Sequence, residues 1–260
     1  MLISLDYLIE KYSLKIKGVS HFGAHLGQEI DSYLQNNISN IHLFEPQTQI
    51  FNQLVSKHKT KKGLHFYNFG LGSQNKKLKI YLDSAESQSS SILKPKSHLN
   101  LHPNIKFQGT EDIEIKIYDD LKIQNINFLN IDVQGYELEA LIGCKDSLTS
   151  IDFIYTEINS QEVYEDCPLV QDLDKFLADV NFLRVETRWF DNLAWGDAFY
   201  IKTNYLSRQN YLKAKIKNFI LSFTVTRYIE LKIIKTVVYL KRYFYNFKQG
   251  VKRVIKYKIT

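Results

Sequence analysis

Gly18-Val19-Ser20-His21-Phe22-Gly23-Ala24-His25-Leu26-Gly27 decides how the rest of the chain is read. Its first half is a short apolar run suited to a buried strand, and its second half places two glycines four positions apart. Glycine accepts left-handed backbone and permits close approach, so the run predicts a strand, a tight turn and a helix start that can hold a polar ligand. Working outward, residues 17–22, 40–44, 64–69, 125–131 and 152–157 read as strands, and 27–35, 48–57, 136–142 and 169–180 as helices. Strands alternating with helices pair in parallel through right-handed crossovers, which gives a doubly wound α/β sheet. Two last runs, 182–189 and 197–202, are separated only by a short connection and predict an antiparallel hairpin at its end.

Composition fits one folded core with an appendage. Hydrophobic residues are 44% of the 260, with 17 Tyr and 16 Phe, enough apolar surface to offset the entropy of ordering the chain. Residues 1–12 carry Asp6, Glu10 and Lys11 among their apolar positions, unlike a secretory signal, and cytoplasmic residence is expected. Cys144 and Cys167 are too few for a disulfide framework and lack paired zinc spacing. Net charge is +6, yet residues 205–260 hold fourteen Lys/Arg and one acid, Glu230. The first 204 residues are therefore acidic, and the high isoelectric point belongs to the tail. Two domains follow, 1–204 and 205–260.

Glu45 lies directly after the apolar run 41–44 and about twenty residues beyond Gly23, the spacing of a carboxylate that accepts ribose hydroxyls. Glu45-Pro46 is also a common way to begin a helix. A dinucleotide is the rival ligand, but the G-x-G-x-x-G spacing is missing. Asp132 and Glu157 end two central strands, where ligands bind in open α/β sheets, so both carboxylates are expected on the rim of one crevice. Asp132 could alternatively cap the helix that follows.

These residues resemble the FkbM-type methyltransferase family over roughly residues 17–202. Gly18 to Glu29 is similar to its first motif in the subgroup form with His21 and His25, and Phe44-Glu45-Pro46 to its second. Asn130-Ile131-Asp132-Val133-Gln134-Gly135-Tyr136-Glu137-Leu138-Glu139-Ala140-Leu141 resembles the fourth-strand signature, with Gln134 where the family usually has Glu. Tyr155 to Asn159 and Trp195-Gly196-Asp197-Ala198 also fit. The resemblance implies a class I, Rossmann-like methyltransferase fold, S-adenosylmethionine as cofactor, and methylation of a hydroxyl, often on a sugar of a glycan or glycolipid. It implies donor contacts at Gly23, Ala24, His25, Gly27, Glu45, Pro46 and Asp132. The motif set does not extend past Asn204.

Methyl transfer to a sugar hydroxyl needs a positioned acceptor oxygen and a route for its proton. Asp132, Glu157 and His21 are the candidate catalytic groups. His21 has a suitable unperturbed pKa but equally suits a buried structural role. The two carboxylates with Asn159 also offer oxygen ligands for Mg²⁺, a divalent-metal arrangement ranked below metal-free proton transfer. Residues 81–111 form a polar insertion whose Ser89-Ser90-Ser91-Ile92-Leu93 could close over the site, with Lys94, Lys96 and His98 adding positive potential. Trp189 and Trp195 bracket the final hairpin turn and offer faces for a sugar ring or for the core.

The tail mixes apolar residues with cations at helical spacing, Ile216, Phe219, Ile220 and Phe223 beside Lys213, Lys215 and Lys217. Arg227, Glu230, Lys232 and Lys235 interrupt any membrane-spanning run. Basic amphipathic helices on the anionic inner face of a membrane fit first, packing on the core or a second subunit next, then nucleic acid. The leading function is a glycan or glycolipid O-methyltransferase. An RNA methyltransferase, or a nucleotide-binding module with a membrane tail, are the alternatives.

Overall fold

The computed structural model describes residues 1–83, 90–96, 107–190 and 194–222. Two compact units divide at Tyr211/Leu212, and Met1–Tyr211 holds the sheet. The chain opens with α1 (Leu5–Tyr12), whose N-cap Ser4 side chain accepts from the Tyr7 amide. There follow β1 (Val19–Phe22), α2 (Ile30–Gln35), β2 (Ile41–Phe44), α3 (Thr48–His58), β3 (Leu64–Tyr67), β4 (Gly70–Leu71), β5 (Lys76–Asp83) and β6 (Phe107–Lys116). Next come β7 (Phe128–Ile131), α4 (Glu137–Ile142), β8 (Phe153–Asn159), α5 (Val170–Asp179), β9 (Phe182–Trp189), β10 (Trp195–Lys202) and α6 (Arg208–Ser222).

Seven strands form one sheet in the order β3-β2-β1-β7-β8-β10-β9. The first five run parallel, and β10 is antiparallel to both β8 and β9. This is the doubly wound sheet with a closing hairpin that the alternation of runs predicts. β1, β2, β7 and β8 are buried at every position, as parallel strands covered on both faces must be. On one face Phe22, Ile131, Ile154 and Tyr200 pack with Ala140 and Leu141 of α4 and Leu173 and Leu177 of α5. On the other, Tyr12 of α1 meets Phe199, whose ring lies beside Phe128 and Phe153.

The first turn is longer than the sequence reading has it. Positive φ at Gly23 (79°), His25 (45°) and Gly27 (74°) holds residues 23–29 out of helical geometry, so α2 begins at Ile30 and not at Gly27. The run 64–69 ends as a sheet strand at Tyr67, and Gly70–Leu71 leaves to join a second sheet, β4-β6-β5. That sheet corrects the irregular insertion over 81–111: β5 and β6 occupy its ends, closed by Ile80, Ile113 and Ile115. The described strap 90–96 crosses between two anchors, bridging Tyr81 through Ser91 and Tyr164 through Pro95. Ser89 and His98 of the expected lid, and the tail beyond Ser222, lie outside the described residues. Tyr205 packs its ring edge-on against Phe153 at 4.9 Å, which carries the first unit past the composition shift at Asn204.

Candidate functional site

A cavity of about 720 Å³ opens at the carboxyl ends of β1, β2, β7 and β8, the position expected for ligands of such sheets. His21, Gly23, His25, Glu45, Pro46, Asp132 and Glu157 all line it. Ala24 and Gly27 do not. Ala24 is buried and donates its amide to Phe44 O at 2.9 Å beside the 3.0 Å bond from Gly23 N, which pins the turn onto β2. Gly27 donates to Ala24 O at 2.8 Å and shapes the turn from behind.

Gly23 is required as glycine. A Cβ there would sit 1.8 Å from Asp132 O, so the β1 turn and the β7 loop touch backbone to backbone. Glu45, only 3% exposed, accepts from His25 N at 3.0 Å through Oε2 and from Gln47 N at 2.8 Å through Oε1. It therefore ties the first turn to the entrance of α3, and it is not that helix's N-cap, which is Gln47. Each oxygen keeps a lone pair for a ligand hydroxyl. Burial pushes its carboxyl up to about 7, against the pull of the two amides. Asn68 Nδ2 holds the adjoining Glu45 and Pro46 carbonyls at 3.0 and 3.2 Å.

The β7 end carries the second half of the site. Gln134 has φ 52° and Gly135 96°, and Ser91 Oγ donates to Gln134 O at 2.6 Å. The Gln134 side chain is held at both ends: its Oε1 accepts from Tyr164 OH at 2.8 Å, while Nε2 reaches Asp132 Oδ1 at 2.7 Å and Glu157 Oε2 at 2.8 Å. Asn130 pairs with Tyr155 across the sheet, so the next step outward brings Asp132 beside Glu157. Asp132 faces the water of the open cleft, whereas Glu157 is buried. Burial first, then the charge of Asp132, holds Glu157 well above the ordinary carboxylate range. Surrounding protein and the charges of Asp197 and Glu29 also raise Asp132. The pair keeps a proton on Glu157, with Asp132 as the more readily ionised partner. Asp132 does not cap α4, whose N-cap is Tyr136; Glu137 Oε1 instead ties down the loop before that helix, accepting from Val133 N and Gly135 N at 3.2 and 3.0 Å.

His21 is buried with both ring nitrogens engaged, Nδ1 with Tyr33 OH and Nε2 with Asn130 Nδ2, each at 3.3 Å. Burial lowers its pKa to about 4, so it is a neutral wall of the cavity at physiological pH and a weak proton acceptor. His25 turns its ring to Gln28 at 2.9 Å and serves the site through its amide. Among the described residues no Lys or Arg lines the cavity, and Lys96, expected to add positive potential, pairs with Glu162. Trp195 lines the cavity and stacks on Phe190 with centroids 4.6 Å apart, while Trp189 packs against the core. Among the described residues no three His, Cys, Asp or Glu side chains converge on one metal-sized site.

Four contributors escaped the sequence reading: Gln134 as the bridge, Tyr164 as its anchor, and the Tyr155–Asp197 pair, into which Leu2 N also donates at 2.5 Å. Asp197 pairs directly with Glu157 in the sheet, a register that a hairpin of known length could have revealed.

A doubly wound sheet closed by this hairpin, with a glycine turn after β1 and a carboxylate after β2 facing one cavity, defines a class I methyltransferase. Residues 21–184 match the family model described as the methyltransferase FkbM domain. The chain belongs to the FkbM methyltransferase family, and its fold is that of S-adenosylmethionine-dependent enzymes. It is 38% identical over 81 residues to the 2-O-methyltransferase NoeI of Sinorhizobium fredii, a match spanning 30% of this chain and a third of NoeI. It also resembles the crystal structure of methyltransferase FkbM from Methylobacillus flagellatus KT, at 13% identity and a TM-score of 0.50, covering 71% of this chain and 43% of that one.

Proposed function

We propose that this chain is an O-methyltransferase whose acceptor is a sugar hydroxyl of a glycan or glycolipid. The carrying observation is the Asp132–Gln134–Glu157 unit on the cavity rim, a proton-accepting carboxylate held in place by an amide. The relative named as a 2-O-methyltransferase supports oxygen as the acceptor atom. Carboxylates, amides and an aromatic face at Trp195, with no Lys or Arg in the described lining and the Met1 ammonium paired with Glu29, suit a neutral polyhydroxylic ring and not a polyanion such as RNA.

S-adenosylmethionine, when bound, supplies an electrophilic methyl on a sulfonium. The residues fit it: Gly23 lets the β1 turn pack backbone to backbone on Asp132 at the edge of the cavity, and Glu45 offers lone pairs to ribose hydroxyls. Asp132 takes the acceptor hydroxyl's proton as the new C–O bond forms. Gln134 fixes the Asp132 carboxylate, and protonated Glu157 keeps a second negative charge away from it. The test is S-adenosylhomocysteine release from S-adenosylmethionine with a panel of methyl glycosides, alongside calorimetry with NAD. Release with no member of the panel overturns the sugar reading, and preference for NAD overturns the donor.

For the tail we propose contact with an anionic membrane surface. Leu212 and Ile216, one turn apart on α6, are 49% and 58% exposed beside Arg208, Lys213 and Lys215. Among the described residues no helix is long and apolar enough to cross a membrane.

A further inference from the structure

Asn159 ends β8 with 1% of its surface exposed, yet among the described residues neither Nδ2 nor Oδ1 has a hydrogen-bond partner. A buried primary amide with both ends idle is rare, because folding strips its water and returns nothing. Its position says what could complete it. Side chains two apart on a strand share a face, so Tyr155, Glu157 and Asn159 point to the same side. Across the antiparallel pair, Glu157 faces Asp197 and Asn159 faces Trp195. Tyr155, Glu157, Asp197 and Trp195 all line the cavity. Asn159, just behind the lining, thus stands one register step outward from Glu157, paired with the aromatic that forms the cavity wall.

We infer that Asn159 is an acceptor-recognition residue, its amide donating to and accepting from hydroxyls of the sugar ring whose neighbouring hydroxyl faces Asp132. The inference rests on the sugar reading above. A carboxamide carries a donor and an acceptor side by side, which matches a vicinal diol presenting the same two functions. Trp195, on the paired position, offers its ring face to the sugar's C–H surface. Asn159 itself takes no proton, so it positions the acceptor while Asp132 does the chemistry.

The role predicts an unusual separation of stability from function. Asn159→Leu, nearly isosteric, removes an amide that has no partner in the free protein, so the melting temperature stays or rises. Dissociation of S-adenosylhomocysteine, read by calorimetry, stays within twofold. KM for whichever methyl glycoside the wild type methylates rises by about tenfold or more, the factor of a lost buried hydrogen bond. Asn159→Ala, which adds no volume, gives the same rise in KM should leucine overfill the site. A lower melting temperature with KM unchanged in both variants overturns the inference and assigns the amide to a structural water. A wild type that methylates no glycoside overturns the sugar reading, and this inference with it; a wild type that does, with both variants equal to it, overturns this inference alone.

Discussion

Asp132 and Glu157 are joined through one amide nitrogen, Gln134 Nε2, 2.7 Å from the first and 2.8 Å from the second. A hydrogen-bond donor between two carboxylates lets them approach, and burial together with carboxylate repulsion raises both while the Gln134 bond pulls Asp132 back down, so one retains a proton. Asp132→Asn removes the proton acceptor at almost constant volume. Turnover is expected to fall by about a hundredfold or more while donor affinity is kept. In the wild type the rate should rise with pH through a midpoint above the ordinary carboxylate range, because Asp132 must be ionised to accept. Gln134→Ala frees the pair and the Tyr164 hydroxyl together, with about a tenfold loss in turnover. Steady-state kinetics across pH with donor calorimetry checks each point, and a wild-type rate for Asp132→Asn would remove it from the chemistry.

Glu45 predicts a pH dependence of both donor binding and stability. Its carboxyl titrates at about 7 in the folded chain, against 4.5 as the ordinary value. Between those values the folded state keeps a proton that the unfolded state has lost, so the group's contribution to stability is whole below about 4.5 and declines as pH rises toward 7. Glu137, also pushed up to about 7 by burial, acts in the same direction. Each contributes a slope of about 1.4 kcal/mol per pH unit in that window. His21 and His42, lowered by burial to about 4, act in the opposite direction between about 4 and 6.5, so the carboxylate contribution is read as the difference between proteins: the melting temperature of wild type relative to Glu45→Ala should fall from pH 5 to 7. Donor binding has the opposite trend, strengthening with pH as Glu45 ionises to receive ribose hydroxyls. Glu45→Ala should weaken donor binding by about 1–3 kcal/mol and flatten both dependences. Calorimetry with unchanged affinity would reduce Glu45 to a tie between the first turn and α3.

The sheet, and the meeting of Gly23 and Glu45 on one cavity, were legible because their signals are local. Gly23 and Glu45 follow apolar runs, and strand ends in such sheets face the ligand. Boundaries shifted where the backbone is left-handed, as at His25, whose φ of 45° no propensity announces. The second sheet did carry a signal, the period-two alternation of Leu78, Ile80 and Leu82 against Ile113 and Ile115, but its lysines and glutamates masked it as a polar insertion. The Gln134 bridge and the Asn159 amide were not legible. Gln134 bridges the carboxylates only because Tyr164, thirty residues later, orients its amide, and Asn159 lacks partners only because of what tertiary packing puts around it.

The cavity's charge predicts which acceptors fail. Glu29, Glu45, Asp132, Glu157 and Asp197 line it, with no Lys or Arg among the described lining residues. Three methyl glycosides sharing the same ring hydroxyls but differing at C6 isolate the effect: hydroxymethyl, aminomethyl and carboxylate. The carboxylate should have the lowest kcat/KM, by about tenfold or more relative to the neutral sugar, since each like charge within a few ångströms opposes it. The penalty should shrink in high salt. A carboxylate sugar that outperforms the neutral one would mean that the Met1 ammonium, or residues outside those described, outweighs these carboxylates at the acceptor.

The tail prediction depends on where the cut is made. Truncation after Asn204 would remove Tyr205 and its 4.9 Å ring contact with Phe153, so any loss of function would be confounded with damage to the sheet's edge. Truncation after Tyr211 follows the boundary of the first compact unit and should leave a cooperatively melting protein with unchanged donor affinity. Thirteen of the fourteen Lys/Arg of residues 205–260 lie beyond that cut, so the truncated chain is net acidic. Each cation near an anionic surface contributes up to about 1 kcal/mol, and exposed Leu212 and Ile216 add apolar burial. The full chain should sediment with vesicles of phosphatidylserine and phosphatidylcholine, and the truncated chain should not. Added salt should release the full chain only in part, because screening acts on the charges and leaves the apolar contribution. Replacing Lys213, Lys215 and Lys217 by Gln in the full chain should weaken sedimentation without altering the melting temperature. Equal sedimentation of full and truncated chains would remove the tail from membrane binding, and loss of cooperative melting on truncation would make it part of the folded body.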